Sequence, residues 1–342
     1  MNEAMLSAGT RLALVLSGGN ALGAYHAGVY EALHEAALEP DWIVGTSIGA
    51  ITAAVIAGNR REDRLPRLTE LWRPEPDGTM PLMPTDWMPE TWRRTGAVIE
   101  TLFAGRPGIF GPLGSAAGWF NPDERAQAPA LYATTTLRET LSDLIDADLL
   151  ASGPMRVTIV AVDVETGEEV IFDSAAQPIG VDHIRASASL LSTFPAIEVD
   201  GRLLADGGFA MNLPLDPVMA EAASGPILCI ASDLLPLAAA QPDTLGEAMG
   251  RMQDLTFAAQ SARTLRRWAA TLPAGEGDGS VTLAMTVYAD QEQEVAGKAM
   301  DFSPRSVRHR WACGLRDGRA LVGRIRSGDI RTGTPGLTIH PA

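Results

Sequence analysis

Twice in its first 57 residues the chain passes from a short apolar segment through a glycine turn into a helix. Arg11 to Ser17 is apolar without alternation, the pattern of a strand covered on both faces of a parallel sheet. After Gly18-Gly19-Asn20-Ala21-Leu22-Gly23, the stretch Ala24 to Leu38 sets Val29, Leu33 and Ala37 on one helical face, and Pro40 closes it. Trp42 to Val44 then leads through Gly45-Thr46-Ser47-Ile48-Gly49 into a small-residue helix ending near Ala57. Strands this close, each followed by a helix, predict crossover connections and an α/β chain.

The rest of the chain extends this pattern. Helices are predicted at Arg61 to Trp72, Thr136 to Ala147, Val181 to Leu190, Leu245 to Ala270 and Ser306 to Ile325. Strands are predicted at Met155 to Asp163, Val170 to Asp173, either side of Asp200-Gly201, Ile227 to Ala231 and Val281 to Val287. The expectation is a three-layer α/β/α sandwich around a mostly parallel central sheet. Between Pro74 and about Pro129 periodicity is lost, and Trp87, Trp92, Trp119, Met80, Met83, Met88, Phe103, Phe110 and Phe120 accumulate. So long an irregular stretch is read as a functional insertion over 74–130 or as helices hidden from the pattern.

Charge narrows the partners. The formal net charge is −15, which disfavours nucleic acid and electrostatic docking on anionic lipid. Residues 1–242 hold 14 basic against 31 acidic side chains, and residues 243–342 hold 13 against 11. The basic run from Arg305 to Arg331 reads as a solvated helix face, with a subunit contact as the alternative. No apolar run is long enough to span a bilayer, and no signal segment is visible, so a cytoplasmic location is expected. The two cysteines, Cys229 and Cys313, show no CxxC or metal spacing and read as core or helix residues.

Three motifs carry chemistry. Gly45-Thr46-Ser47-Ile48-Gly49 is G-x-S-x-G between a strand and a helix, the context of a nucleophile elbow, with Ser47 raised at the turn. Gly18 to Gly23 lacks the third glycine of a dinucleotide fingerprint and the Lys-Ser/Thr of a P-loop, which leaves a nest of amides at a helix start, suited to an oxyanion. Asp206-Gly207-Gly208, with Asn212-Leu213-Pro214 beyond it, puts a carboxylate at a strand end or, taken alone, forms a hairpin turn. Of the five histidines, His183 and His309 are the candidates for an ordinary triad; His26 and His34 precede the serine, and His340 falls in a tail expected to fray.

In combination, LVLSGGNALGAYHAGV from Leu14, GTSIG from Gly45 and ADGGFAMNLPL from Ala205 resemble the patatin-like phospholipase family, over roughly residues 11–220. The resemblance implies a catalytic domain there; 221–342, outside it, are expected to form an α/β extension packed on the same domain. It implies a lipid acyl-ester hydrolase with Ser47 as nucleophile and Asp206 as base. The amides of Gly18, Gly19 and Asn20 would form the oxyanion hole, with Gly23, Gly45, Gly49, Gly207 and Gly208 as motif glycines. It carries over no metal or cofactor, and its partners are a lipid or acyl ester and, peripherally, a lipid surface. The family usually has a third glycine where Asn20 stands and commonly a basic residue where Leu22 stands. An aspartate near pKa 3.9 is a weak base for a serine hydroxyl, so burial must raise it or the oxyanion hole must carry more of the barrier. A weakly active or inactive lipid-binding scaffold is the alternative.

Overall fold

The structure is a computed structural model describing residues 9–72, 89–113, 129–277 and 279–342. Its strands are β1 (Arg11–Leu16), β2 (Trp42–Thr46), β3 (Gly111–Pro112), β4 (Tyr132–Ala133), β5 (Arg156–Asp163), β6 (Glu169–Asp173), β7 (Ile197–Val199), β8 (Arg202–Asp206), β9 (Ile227–Asp233), β10 (Ser280–Val287) and β11 (Gly336–His340). Its helices are α1 (Ala24–Glu35), α2 (Ile48–Ala57), α3 (Arg61–Trp72), α4 (Glu90–Ala104), α5 (Thr135–Leu144), α6 (Ala147–Ser152), α7 (Val181–Ser187), α8 (Gly208–Met211), α9 (Asp216–Ala220), α10 (Leu245–Thr271) and α11 (Pro304–Arg326).

Nine strands form one sheet in the order β11-β10-β9-β1-β2-β5-β8-β7, with β6 also paired to β5. From β11 to β5 every pairing is parallel; β6, β8 and β7 pair antiparallel. Side chains of β1 alternate between two cores. Leu12, Leu14 and Leu16 join the helices α1, α2 and α11 on one face, while Ala13 and Val15 join Leu215, Val218 and the α10 residues Leu265 and Trp268 on the other. The fold is therefore the expected three-layer α/β/α sandwich. Residues 221–342 continue the sheet itself, since β9 pairs directly with β1.

Three features depart from the sequence reading. The tail holding His340 is the parallel edge strand β11, unseen because only Gly336 and Leu337 of its five residues are buried. Within the irregular stretch lies α4, whose periodicity is inverted: Trp92, Ile99, Leu102 and Phe103 face outward while Arg94, Val98 and Thr101 are buried. A helix that buries an arginine carries no apolar inner stripe to find. Trp87, Trp119, Phe120 and the three methionines of that stretch lie outside the described residues. The third departure is Arg310. Arg305, Arg316, Arg319 and Arg324 of the basic run form exposed pairs, such as Arg319 with Glu35 and Arg324 with Asp329, but Arg310 is fully buried against Glu294.

α1 and α11 cross at glycines. A Cβ at Gly314 would lie 2.0 Å from the Tyr25 carbonyl oxygen, and one at Gly28 2.0 Å from that of Trp311, so no side chain fits at either position. At Gly323, further along α11, a Cβ meets nothing within 4 Å. Gly314→Ala is expected to cost about 1–3 kcal/mol in urea unfolding, whereas Gly323→Ala is expected to be neutral or to stabilise by up to about 1 kcal/mol.

Candidate active site

The site arises where two strands end against each other. β2 lies along one edge of β5 from Arg156 to Val160, and β6 occupies the opposite edge. β8 runs the other way and pairs with Ala161 to Asp163 on the edge that β2 has just vacated. Thr46 is opposite Val160 and Asp206 is opposite Ala161, so the residue after β2, Ser47, meets the last residue of β8.

Ser47 sits at φ 58°, ψ −123°, a conformation L-residues rarely adopt. The glycines around it make that turn possible. A Cβ at Gly45 would lie 2.5 Å from the Gly49 carbonyl, and a Cβ at Gly49 2.3 Å from the Leu16 carbonyl oxygen. The Ser47 N–H donates to Ser187 Oγ at 3.0 Å, which ties the elbow to α7. The Ser47 hydroxyl faces Asp206 as a donor that favours the carboxylate. Asp206 is buried, its own N–H donates to the Ser189 carbonyl at 2.9 Å, and its Oδ1 accepts from the Gly208 N–H at 2.7 Å. Burial pushes the carboxyl up to about 6, against the opposing pull of the Ser47 hydroxyl and the Gly208 N–H.

The glycine loop is held at three points. At Gly18, Asn212 accepts the N–H through its own carbonyl at 3.0 Å and donates Nδ2 to the Gly18 carbonyl at 3.4 Å. Gly18 also abuts Ser47, since a Cβ there would lie 3.2 Å from Ser47 Cβ. Asn20 takes φ 51°, the half of the map open to a glycine, and its Nδ2 meets Met300 Sδ at 3.3 Å. Arg310 Nη1 donates to the Ala21 carbonyl at 3.1 Å. The Gly18 amide is thus engaged within the protein; among the described residues, those of Gly19 and Asn20 have no partner. Leu22 is fully buried where a cation is common in the family.

Sequence reasoning did not assign Asn212, Met300, Ser187 or Arg310 to the site. Asn212 was at least visible in the third motif; the others come from distant segments with no local signal. Four of the five histidines are engaged elsewhere. His26 is buried with its nitrogens at 2.9 Å from Ser17 O and Ser232 Oγ, and burial lowers it to about 4. His34 pairs with Glu39 at 2.7 Å, His183 accepts from the Gly180 N–H at 2.9 Å, and His309 contacts Cys313.

The family model for patatin-like phospholipase matches residues 14–219. The chain belongs to the patatin-like phospholipase family. An uncharacterised NTE family protein of Mycobacterium bovis is 28% identical over 267 residues, covering 76% of this chain and 61% of that protein. Lysophospholipase NTE1 of Yarrowia lipolytica is 27% identical over 232 residues, covering 65% of this chain and 13% of its own length. The chain thus spans under two-thirds of these relatives. Among solved structures, VipD from Legionella pneumophila superposes with TM-score 0.42 at 16% identity, covering 95% of this chain and 68% of that one.

In this patatin-like protein, unfolding frees Asp206 to ionise near pH 4, whereas the folded state holds its proton to about pH 6. The folded state therefore binds more protons between those values, and this carboxyl's contribution to stability falls as pH rises from 4 to 6. Asp233, also pushed up to about 6 by burial, adds the same sign. Asp206→Asn is expected to remove its share of the slope, read as the difference in urea midpoint from wild type at pH 4 and pH 7.

Proposed function

We propose that this protein hydrolyses lipid acyl esters through a Ser47–Asp206 dyad. The observation carrying this reading is the sheet register that sets the buried Asp206 carboxyl against Ser47 on its strained elbow, where burial raises the carboxyl to about 6. A base near 6 stays ionised at neutral pH and is better matched to the task than an ordinary aspartate. Asp206 accepts the Ser47 proton as Oγ attacks the ester carbonyl, and the amides of Gly19 and Asn20 receive the oxyanion. Collapse of the intermediate expels the alcohol, which takes the proton from Asp206 and leaves an acyl-serine. Water, deprotonated by Asp206, then adds to the acyl group and frees the carboxylic acid and Ser47.

The substrate class is read from the surface. Trp92, Ile99 and Phe103 recur along the outer face of α4, and Leu245, Met249 and Met252 along that of α10. Both helices touch one segment: Val98 packs against Gly297, and Gly246 against Ala296. That segment leads into Met300 and so to Asn20. Apolar stripes beside the oxyanion loop suit an acyl chain or lipid surface. Buried Leu22 offers no cation, which favours neutral or zwitterionic lipids. Lysophospholipids enter as candidates through the Yarrowia relative's name.

Hydrolysis of p-nitrophenyl esters of increasing chain length tests the reading. Ser47→Ala and Asp206→Asn are each expected to lower kcat by at least about 10³-fold, and kcat/KM in wild type is expected to fall below a midpoint near pH 6. Loss of fluorophosphonate labelling in Ser47→Ala accompanies this. A wild-type protein that neither turns over nor labels is instead a lipid-binding scaffold. Trp92→Ser with Phe103→Ser is expected to impair long-chain more than short-chain esters, measured as the ratio of the two kcat/KM values.

A further inference from the structure

Cys313, a plain helix residue by its sequence, lies in a cluster that the proposed chemistry does not use. His309 and Cys313 are one turn apart on the same face of α11, and Asp290 follows the end of β10. Cys313 Sγ is 3.6 Å from His309 Nε2 and 3.6 Å from Asp290 Oδ2, and all three ligand atoms lie within 4.8 Å of one another. In tetrahedral zinc coordination, bonds of about 2.3 Å to sulfur and about 2.0–2.1 Å to nitrogen or oxygen set a sulfur-to-nitrogen or sulfur-to-oxygen edge of about 3.6 Å. Both edges through sulfur already have that length. The third closes by rotation of the exposed Asp290 carboxylate away from Arg316.

We propose that Asp290, His309 and Cys313 form a site, outside the Ser47–Asp206 dyad, for a thiophilic divalent transition-metal ion of the zinc class. Thiolate with imidazole excludes calcium and magnesium as the fitting ions. Cys313 is buried, His309 half-buried and Asp290 exposed, so the fourth position opens to solvent. Binding is balanced by one proton: the metal replaces the hydrogen on Cys313, whose thiolate carries the Sγ–metal bond. Arg316 Nη1, 3.3 Å from Asp290 Oδ2, shares that carboxylate and competes for it. An ion here would fasten the exit of β10 to α11. The same segment runs on through Glu294, paired with Arg310, to Met300 against Asn20, so the clip would brace the glycine loop from behind.

The test is titration of chelator-treated full-length protein with Co²⁺, followed by Zn²⁺. The expected result is a near-ultraviolet thiolate-to-cobalt charge-transfer band saturating at one equivalent and bleached by Zn²⁺. It should be lost in Cys313→Ser and kept in Cys229→Ser, whose wild-type thiol is fully buried in the other core. His309→Gln and Asp290→Asn should each weaken Co²⁺ binding at least about tenfold, and Arg316→Gln should tighten it. Affinity should rise tenfold per pH unit while the free thiol is protonated. Zn²⁺ should raise the melting temperature of wild type and not of Cys313→Ser, which also reports whether the variant folds. No charge-transfer band at excess Co²⁺, or a band unchanged in folded Cys313→Ser, overturns the proposal whatever the esterase assays show.

Discussion

The edge of β5 that β2 and β8 share is the constraint from which the site follows. A strand edge offers one row of hydrogen-bonding groups, and two strands arriving from opposite ends must stop where they meet. β2 stops at Thr46 and β8 at Asp206, opposite adjacent residues of β5. The turn after β2 and the last side chain of β8 therefore share one place. Gly207 follows Asp206 because a Cβ there would lie 2.3 Å from the Val160 carbonyl oxygen. The serine–aspartate pairing is thus a consequence of sheet register.

The last hundred residues, outside the family match, hold the glycine loop from behind. Arg310, fully buried, reaches Glu294, the carbonyls of Lys298 and Asp301, and the loop carbonyl of Ala21. Glu294 is shared with Arg94 of α4 at 2.8 Å and with the Tyr288 hydroxyl at 2.7 Å, and Arg310 first, with these two, holds it down to about 2 despite burial. Lys298 meets Asp254 of α10 at 2.7 Å. Removing any one member strands a buried charge, so the network makes the position of the loop depend on α4, α10 and α11 together. The two helices with exposed apolar stripes, α4 and α10, are thereby tied to the loop that would receive the oxyanion.

The site is costly to fold. Ser47 holds a rare backbone conformation and Asp206 is desolvated without a cation beside it among the described residues. Both costs are carried by the two cores, in which β1, α1 and α2 are buried almost throughout. The same desolvation makes the carboxyl a stronger base, so the stability it forfeits near neutral pH and the chemistry proposed for it have one cause.

What the sequence determined by itself is local. Continuous apolar strands, the glycine turns and the elbow motif are encoded in contiguous residues, because strand burial, backbone freedom and helix starts are set within a few positions. These sufficed for the α/β/α class, for most elements to within a few residues, and for Ser47, Asp206 and the glycine loop as candidates. The tertiary structure decided what depends on distant partners. It decided that Asn212 takes the Gly18 amide and, among the described residues, leaves those of Gly19 and Asn20 open. It made α4 a helix with its arginine inward, because Glu294, some two hundred residues later, waits there. It turned the His340 tail into a strand, because β10 presents an open edge, and it brought Asp290 to a helix carrying His309 and Cys313. None of these leaves a periodicity or a spacing in the chain, since the energy that selects each comes from a group remote in sequence and adjacent only after folding.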